Sequence, residues 1–141
     1  DGTQQHSGRR FSTLFITLIR GFRLENIFFL KSLNDNYLMR GTRPKKDKDV
    51  DWVTGAFMII RSEAIDEVGL FDDKNFYLYS EDQDLCIRMW KKGWQVHHVD
   101  DIEAYHHLQR DGVRKLFSKH FFYQLKSTFR LFKKHNWSLS R

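Results

Sequence analysis

The feature that most constrains the fold of this chain is a nearly continuous apolar run at residues 52–60, which charged residues flank on both sides. A run of this length and composition is typical of a strand that is buried on both faces of a sheet. The sequence therefore predicts a buried strand and, with the helical patterns on both sides of it, an α/β fold. Gly55 interrupts the run, and a glycine inside a strand marks a bulge, a ligand that approaches the backbone, or a packing constraint alone.

Amphipathic patterns on both sides of this run predict helices. Apolar residues recur at helical spacing and predict a helix near residues 11–31, with Ser12 or Thr13 as its N-cap. A shorter pattern predicts a helix over residues 62–68. A third predicts a terminal helix whose apolar stripe consists of Val113, Leu116, Phe117, Phe121, Leu125, Phe129 and Phe132.

The segments between the helical patterns are predicted as loops and strands. The polar stretch 34–49 contains a glycine and the only proline, and predicts a long loop. Residues 94–99 and 102–108 alternate in part and predict two more strands. With 40% hydrophobic and 16% aromatic residues, the chain carries enough apolar material for one compact domain.

The most clearly specified helix begins near Ser80. Ser80 and Gln83 have the spacing of a capping box, in which both side chains accept from backbone N–H groups of the first turn. Gly93 follows two lysines and predicts the end of the helix.

Three carboxylates, Glu81, Asp82 and Asp84, lie in the first turn of this helix. A carboxylate in such a position serves as a general base if a substrate hydroxyl comes within hydrogen-bond reach. A structural role also fits, because acids are stabilised at helix N-termini and Asp84 can pair with Arg88 one turn later. Residue types and spacing alone favour the structural role.

Two histidine pairs, His97 with His98 and His106 with His107, are candidates for metal binding. A strand places the members of each pair on opposite faces, so only one of each points into a given site. No H-x-x-x-H or C-x-x-C spacing supports a closed zinc site, and a structural or surface role is favoured.

The basic charge of the chain is concentrated near its end. Residues 112–141 contain eight Lys or Arg and no Asp or Glu, whereas the rest of the chain has 16 basic and 18 acidic residues. A basic amphipathic helix is attracted to an anionic lipid surface, and the same pattern suits a solvated helix on a core. No nucleic-acid-binding motif accompanies the charge, so we expect no nucleic acid partner.

Three features bear on the compartment of the protein. The single cysteine, Cys86, has no partner for an internal disulfide, which favours a reducing compartment, the cytoplasm. The most apolar stretch, residues 11–33, is broken by charged residues and is not expected to span a membrane. The first residues lack the order of a signal peptide, and we interpret the chain as the middle of a longer protein.

Four segments carry a resemblance to a known family. They are Val50-Asp51-Trp52-Val53-Thr54-Gly55-Ala56, Gly69-Leu70-Phe71-Asp72, Phe76-Tyr77-Leu78-Tyr79-Ser80-Glu81-Asp82-Gln83-Asp84-Leu85-Cys86-Ile87-Arg88 and Lys92-Gly93-Trp94. In order and spacing they resemble the second half of bacterial family 2 glycosyltransferases, especially rhamnosyltransferase-like members. Residues 1–11 also resemble the segment that follows the metal-binding D-x-D strand of that family.

The resemblance implies roles for the three carboxylates. Asp82, the second acid of the family's E-D pair, would be the catalytic base that deprotonates the acceptor hydroxyl in an inverting single displacement. Glu81 and Asp84 would support it by orienting the start of the helix.

The resemblance also implies binding residues. Trp52, Thr54 and Gly55 would line the cleft for the sugar and the acceptor. His106, or His107 as the next best match, would lie near a divalent metal, Mg2+ or Mn2+. Two positions depart from the family pattern: Asp100 or Asp101 replaces a proline that often precedes the final core strand, and Ser12 stands where another proline is frequent. Neither departure touches the base.

The implied fold is the C-terminal, acceptor-side half of a GT-A domain, a mixed sheet with flanking amphipathic helices. Residues 1–110 would hold the acceptor side and the base, and residues 111–141 the basic helix. The N-terminal nucleotide-binding half would be missing, so we expect the chain alone to be incomplete and inactive. The implied reaction transfers a sugar from a nucleotide-diphosphate donor to a glycan or lipid-linked acceptor in polysaccharide biosynthesis, at the inner face of the cell membrane.

Two other functions are compatible with the sequence. One is a non-catalytic basic module that binds a membrane surface or a protein partner. The other is a metal-assisted hydrolase, which would need His106 and carboxylates as metal ligands.

Overall fold

The computed structural model describes residues 5–40, 48–99, 101–107 and 118–141. Within these ranges the chain forms five helices and four two-residue strands. In chain order they are β1 (Gly8–Arg9), α1 (Leu14–Gly21), α2 (Phe28–Tyr37), β2 (Lys48–Asp49), β3 (Trp52–Val53), α3 (Ser62–Val68), α4 (Glu81–Lys91), β4 (His97–His98) and α5 (Lys119–Lys134). The described residues therefore combine helices and strands, as the predicted α/β class requires.

The strands form two antiparallel pairs. β1 pairs with β3, with Gly8 opposite Val53 and Arg9 opposite Trp52. β2 pairs with β4 in the same antiparallel sense. Both pairs join segments that are far apart in the sequence. In the described residues, the predicted mixed sheet is present only as these two short antiparallel pieces.

The prediction of a buried strand over residues 52–60 is wrong after Val53. The backbone turns there, and the Gly55 N–H donates to the carboxylate of Asp82 at 3.0 Å. The strand pairing ends because this donor binds a side chain in place of a neighbouring strand. Ile59, later in the run, is 80% exposed.

The predicted strands at residues 94–99 and 102–108 are also shorter than expected. The first is reduced to β4, whose two residues pair with Lys48 and Asp49 of β2. Residues 102–107 form no strand, and Leu108 lies outside the described residues.

The single helix predicted over residues 11–31 is in fact two helices. Thr13, one of the two predicted caps, is the N-cap of α1 and accepts a hydrogen bond from a backbone N–H of the first turn. The chain leaves the helical path after α1, where Arg23 has a left-handed backbone with φ 59°. The Leu24 N–H then donates back to the Ile19 carbonyl at 2.8 Å, and α2 begins beyond this turn.

The loop predicted at residues 34–49 is wrong at its start, because α2 continues to Tyr37. Asn34 and Tyr37 are buried, and the Asn34 side-chain oxygen accepts from the Arg20 guanidinium at 2.7 Å. In the sequence, the polar Asn34 is typical of a loop. Because its side chain is hydrogen-bonded to Arg20, it is tolerated inside the helix. Residues 41–47 lie outside the described residues.

Helix α4 lies at the centre of the packing. Leu85 and Met89 on one side are buried in the main core, and Ile87 on the other side is buried with Phe76 and with Leu131 of α5. The main core consists of Ile16, Ile19, Leu30, Tyr37, Leu38, Val50, Trp52, Ala64, Leu85, Cys86, Met89 and Val96. The position of α4 is therefore determined by contacts on both sides.

The helices α3, α4 and α5 agree with the predicted patterns, although Ser62, the residue expected to cap α3, is its first helical residue and Arg61 is the N-cap. Gly69 and Gly93 follow α3 and α4 with φ of 79° and 84°, a conformation that glycine adopts without strain. α5 covers the described part of the predicted terminal helix, and residues 113–117 lie outside the described ranges. The division into residues 1–110 and 111–141 stays a prediction. None of the helices in the described ranges is both long enough and apolar enough to cross a membrane.

Candidate functional site

Asp82 lies in the first turn of α4 and is half-buried. Its Oδ2 accepts a hydrogen bond from the Gly55 N–H at 3.0 Å, and its Oδ1 accepts one from the Gln83 N–H at 2.8 Å. Burial raises the pKa of the Asp82 carboxyl, and these hydrogen bonds and the Arg9 charge oppose the increase. Asp82 therefore takes up a proton more readily than an exposed aspartate, which suits a general base.

The turn before α4 has an unusual backbone. Tyr79 and Ser80 are both left-handed, with φ of 67° and 69°. Each non-glycine residue in this region costs on the order of 1 kcal/mol or more, and such residues cluster at active sites and ligand clamps. The strained turn leads directly into Glu81 and Asp82, which supports this end of α4 as a functional site.

The predicted capping box at the start of α4 is wrong. Ser80 is the N-cap, but with a left-handed backbone its side chain makes no capping hydrogen bond. The Asp82 carboxylate accepts from the Gln83 N–H instead. The Gln83 side chain accepts from the Ser12 hydroxyl at 2.9 Å, which ties the segment before α1 to the start of α4.

Glu81 is half-buried beside Asp82. Burial raises the pKa of Glu81, and the negative charge of Asp82 adds to the increase. The Glu81 Oε2 atom is buried and has no hydrogen-bond partner within the described part of the chain. A buried oxygen without a partner is costly, so this atom is a candidate contact for a bound molecule. The supporting role of Glu81 stays a prediction.

Asp84 is fully buried. Its carboxylate accepts from Arg88 Nε at 2.9 Å, from Lys134 Nζ at 2.8 Å and from His135 Nε2 at 2.8 Å. Burial would raise the pKa of Asp84, but the hydrogen bonds from His135, Lys134 and Arg88 outweigh it and lower the pKa. The predicted contact with Arg88 is confirmed. Because Asp84 does not face solvent, it can act on the site only through the position of α4.

His135 joins Asp84 to a further cation. Its Nδ1 lies 3.0 Å from the Lys91 ammonium, which can only donate. Nδ1 therefore accepts, and Nε2 carries the proton that His135 donates to Asp84. Arg88 also donates to the Leu70 carbonyl at 2.8 Å. This buried network connects the segment after α3 to α4 and α5.

The three residues assigned to the cleft occupy different environments. Trp52 is buried, and its indole N–H donates to the Arg10 carbonyl at 2.7 Å. Thr54 is half-buried, and Gly55 is exposed beside Asp82. The structure thus brings Gly55 to the proposed base, and acceptor contacts by all three residues stay predictions.

Arg9 was not among the predicted site residues. Its guanidinium lies 5.0 Å from the Trp52 ring and 6.0 Å from the Tyr37 ring, and its charge lowers the pKa of Asp82. The pairing of β1 with β3 places Arg9 there. No local signal reveals a pairing between segments so far apart in the sequence.

The described residues do not form a complete metal site, because no three His, Cys, Asp or Glu side chains among them lie close enough to hold an ion. His106 is exposed, and its Nδ1 lies 3.0 Å from Gln5 Oε1 while Gln5 Nε2 donates to the His106 carbonyl at 3.1 Å. The amide oxygen only accepts, so Nδ1 is the donor in this contact, which does not involve Nε2. His106 can offer one nitrogen ligand, and its role at a metal stays a prediction.

The other histidine pair and the cysteine have structural contacts. His97 Nδ1 lies 3.0 Å from the Asp49 carboxylate, and His98 Nε2 lies 2.9 Å from the Ser7 hydroxyl. Burial raises the pKa of the Cys86 thiol to about 12. A thiol that stays protonated at neutral pH is a poor nucleophile, so Cys86 is a core residue.

Comparison with known families and structures gives one family assignment. The family model described as glycosyl transferase family group 2 matches residues 20–139, which is most of the chain. No solved structure matches the chain. The family assignment therefore comes from the sequence.

Curated relatives are similar over part of the chain. The chain is 42% identical over 84 residues to the rhamnosyltransferase WbbL of Escherichia coli, an alignment that covers 60% of the chain and 31% of the relative. It is 36% identical over 61 residues to the N-acetylglucosaminyl-diphospho-decaprenol L-rhamnosyltransferase of two strains of Mycobacterium tuberculosis, which covers 43% of the chain and 20% of each relative. The alignments span less than a third of the length of these relatives.

Proposed function

The chain belongs to glycosyl transferase family group 2, and we propose that it is the acceptor-side part of an enzyme that transfers a sugar, with inversion, from a nucleotide-diphosphate donor to an acceptor hydroxyl. Family membership implies a part of a GT-A fold and sugar donor and acceptor substrates. The observation that carries the proposal is the half-buried Asp82 carboxylate at the start of α4, with its raised pKa and two backbone donors.

In the proposed mechanism Asp82 is the general base. Its carboxylate takes the proton of the acceptor hydroxyl while the hydroxyl oxygen forms a bond to the anomeric carbon of the sugar. The bond from that carbon to the diphosphate oxygen breaks, and the leaving nucleotide diphosphate keeps the electron pair. The N–H groups of Gly55 and Gln83 hold the carboxylate in place, and its raised pKa makes the proton transfer more favourable.

Enzymes of this family often use a divalent metal. When bound, Mg2+ or Mn2+ would neutralise charge on the leaving diphosphate. The described residues do not by themselves fit such an ion, so we place its main ligands in a nucleotide-binding half and give His106 at most one ligand position. The role of Asp82 does not depend on the metal.

The names of the relatives indicate a substrate class. Both are rhamnosyltransferases, and the name of the mycobacterial relative specifies an N-acetylglucosaminyl group on a lipid diphosphate. We propose rhamnosyl transfer to a lipid-linked sugar, in polysaccharide biosynthesis, in the cytoplasm at the inner face of the cell membrane.

We expect the 141-residue chain to transfer no sugar alone, and a longer form with a nucleotide-binding half to be active. The reason is that the alignments span less than a third of the relatives. The measurement is donor hydrolysis and sugar transfer by both forms, with thymidine- and uridine-diphosphate sugars and Mn2+. Activity of the short chain would contradict the location of the nucleotide site. Inactivity of both forms would favour a non-catalytic binding module.

A second candidate function, contact with a membrane surface, is supported by an apolar surface on α1 and α2. Phe28 and Phe29 are 94% and 70% exposed. Lys31 follows in the same helix and Arg23 lies in the turn before it, and a combination of exposed aromatic and basic residues is typical of interfacial helices on anionic lipid. Other large apolar residues of α1, α2 and the turn between them are also exposed, namely Leu14, Phe15, Leu18, Leu24, Ile27 and Leu33. It would supplement the basic helix α5, for which lipid contact stays a prediction.

We expect the double variant Phe28→Ser, Phe29→Ser to bind anionic vesicles at least about 100-fold more weakly, because burial of one Phe contributes roughly 1.5 kcal/mol or more. The measurement is co-sedimentation with vesicles of phosphatidylglycerol and phosphatidylcholine. The matched control is Ile59→Ser, Leu70→Ser, which changes two exposed apolar residues outside α1 and α2. An equal loss in both variants would contradict this surface as the lipid contact, and equally strong binding to pure phosphatidylcholine would contradict the preference for anionic lipid.

A further inference from the structure

A groove lies between α5 and the segment that precedes α4. Its volume is about 300 Å³. It is lined by Tyr77, Leu78, Tyr123, Lys126, Ser127 and Arg130. None of these residues takes part in the contacts of Asp82 described above.

Two tyrosine rings form the aromatic part of the groove. Tyr77 is 83% exposed, and Tyr123 is also exposed. Their ring centroids lie 5.9 Å apart with an interplanar angle of 58°. Exposed aromatic faces next to polar groups are typical of ligand sites, because the ring gives apolar contact area and the hydroxyl gives hydrogen bonds.

Two cations form the polar part of the groove. Lys126 and Arg130 are one turn apart on α5, and within the described residues neither is in an ion pair. The Arg130 guanidinium donates to the Asn75 carbonyl at 2.8 Å, which holds it in position. Lys134, one turn further, contrasts with them, because it pairs with Asp72 at 2.7 Å and with Asp84. Among the described residues, no acidic side chain therefore neutralises the positive charge of Lys126 and Arg130.

The groove is fixed to the segment that leads into α4 and the proposed base. The buried Ser127 hydroxyl donates to the Leu78 carbonyl at 2.7 Å. The Tyr79 hydroxyl lies 3.4 Å from the His120 ring, which also belongs to α5. The chain passes from Leu78 through Tyr79 into α4 and Asp82, so a ligand in the groove would lie along the segment that leads to Asp82.

We propose that this groove binds a phosphate-bearing sugar, with the phosphate contacting Lys126 and Arg130 and the sugar ring packing on Tyr77 and Tyr123. Phosphate oxygens form strong charge-assisted hydrogen bonds with Lys and Arg. The assignment of this ligand as the acceptor rests on the proposed function. The binding site itself does not require that reaction.

The test is a calorimetric titration of the chain with N-acetylglucosamine 1-phosphate, inorganic diphosphate and N-acetylglucosamine. We expect N-acetylglucosamine 1-phosphate and inorganic diphosphate to bind, and the uncharged N-acetylglucosamine to bind at least about tenfold more weakly. Lys126→Met should lower the affinity for both phosphate compounds about tenfold. Tyr77→Ala should lower the affinity for the sugar phosphate only. Lys133→Met, which removes an exposed charge from the same helix, is the matched control and should bind normally.

Other outcomes would overturn the proposal. An equal loss in Lys133→Met would show general attraction to a basic helix. Binding of anionic vesicles that depends on Lys126 and Tyr77, without binding of the sugar phosphate, would assign the groove to a lipid headgroup. These titrations require no sugar transfer, so failure of the groove and failure of the proposed catalysis can be distinguished.

Discussion

Replacement of Asp82 by Asn in the active form of the enzyme should lower turnover by about 100- to 10,000-fold, the usual contribution of a general base. The amide has nearly the same shape but cannot accept the proton of the acceptor hydroxyl. Its oxygen can still accept from the N–H of Gly55 or Gln83, so the fold should survive with a loss of about 1 kcal/mol. KM should change little, because the lost interaction belongs to the transition state.

The matched control for this prediction is Asp66→Asn. Asp66 is an exposed residue of α3, so this variant removes the same charge away from the site. We expect normal turnover for the control and a normal circular dichroism spectrum for both variants. If Asp82→Asn has near-normal turnover in steady-state kinetics, Asp82 is not the general base. If the control loses as much turnover as Asp82→Asn, the loss is a general effect of the removed charge.

The pH profile of the wild-type enzyme tests the same role independently. A general base must be deprotonated, so kcat/KM should fall as the pH falls through the pKa of Asp82. Because burial raises this pKa, the fall should begin above the value of about 3.9 that an exposed aspartate has. The Asp82→Asn variant should lack this acidic limb.

The helices could be predicted from the sequence where their pattern and their ends are local. α4 has acids in its first turn, apolar residues on two sides and Gly93 after its end, and α3 is followed in the same way by Gly69. The proposed role of Asp82 came from a motif spread over several elements. The structure adds the contact with Gly55, which brings part of that motif together.

The strands could not be predicted in the same way. An apolar run at residues 52–60 indicates burial or contact but does not say which distant segment pairs with it. Of this run, only β3 pairs with another strand, β1, whose residues lie more than 40 positions earlier in the sequence. The capping box failed for a related reason, because spacing does not reveal that Ser80 has a left-handed backbone.

The ion network below α4 was equally hidden from the sequence. Asp84 and Arg88 are one helical turn apart, and their contact was predicted correctly. Lys134 and His135 lie about 50 residues later and reach Asp84 only because α5 packs on α4. The packing of α5 on α4 therefore buries the Asp84 carboxylate and adds Lys134 and His135 to its pair with Arg88. No local sequence pattern encodes this packing.

Asp84→Ala should lower the free energy of unfolding of the chain by about 3 kcal/mol. This value is the lower end of the range of about 3–5 kcal/mol for removal of one partner of a buried ion pair. The lower end applies because Arg88 and Lys134 are 19% and 30% exposed and regain some hydration. The melting temperature should fall by about 10 °C. The matched control is Asp35→Ala, which breaks an exposed pair with Arg40 and should cost less than about 1 kcal/mol.

The pH dependence of stability should carry the signature of the same carboxylate. The pKa of Asp84 is lower in the folded chain than in the unfolded chain, so its contribution is complete above the unfolded value of about 3.9 and is lost as the pH falls toward the folded value. Urea titrations should therefore show the difference between wild type and Asp84→Ala at neutral pH, and this difference should shrink in acid. If this difference in unfolding free energy stays constant with pH, or if Asp84→Ala is as stable as Asp35→Ala, then Asp84 does not hold α4 against α5 through its charge.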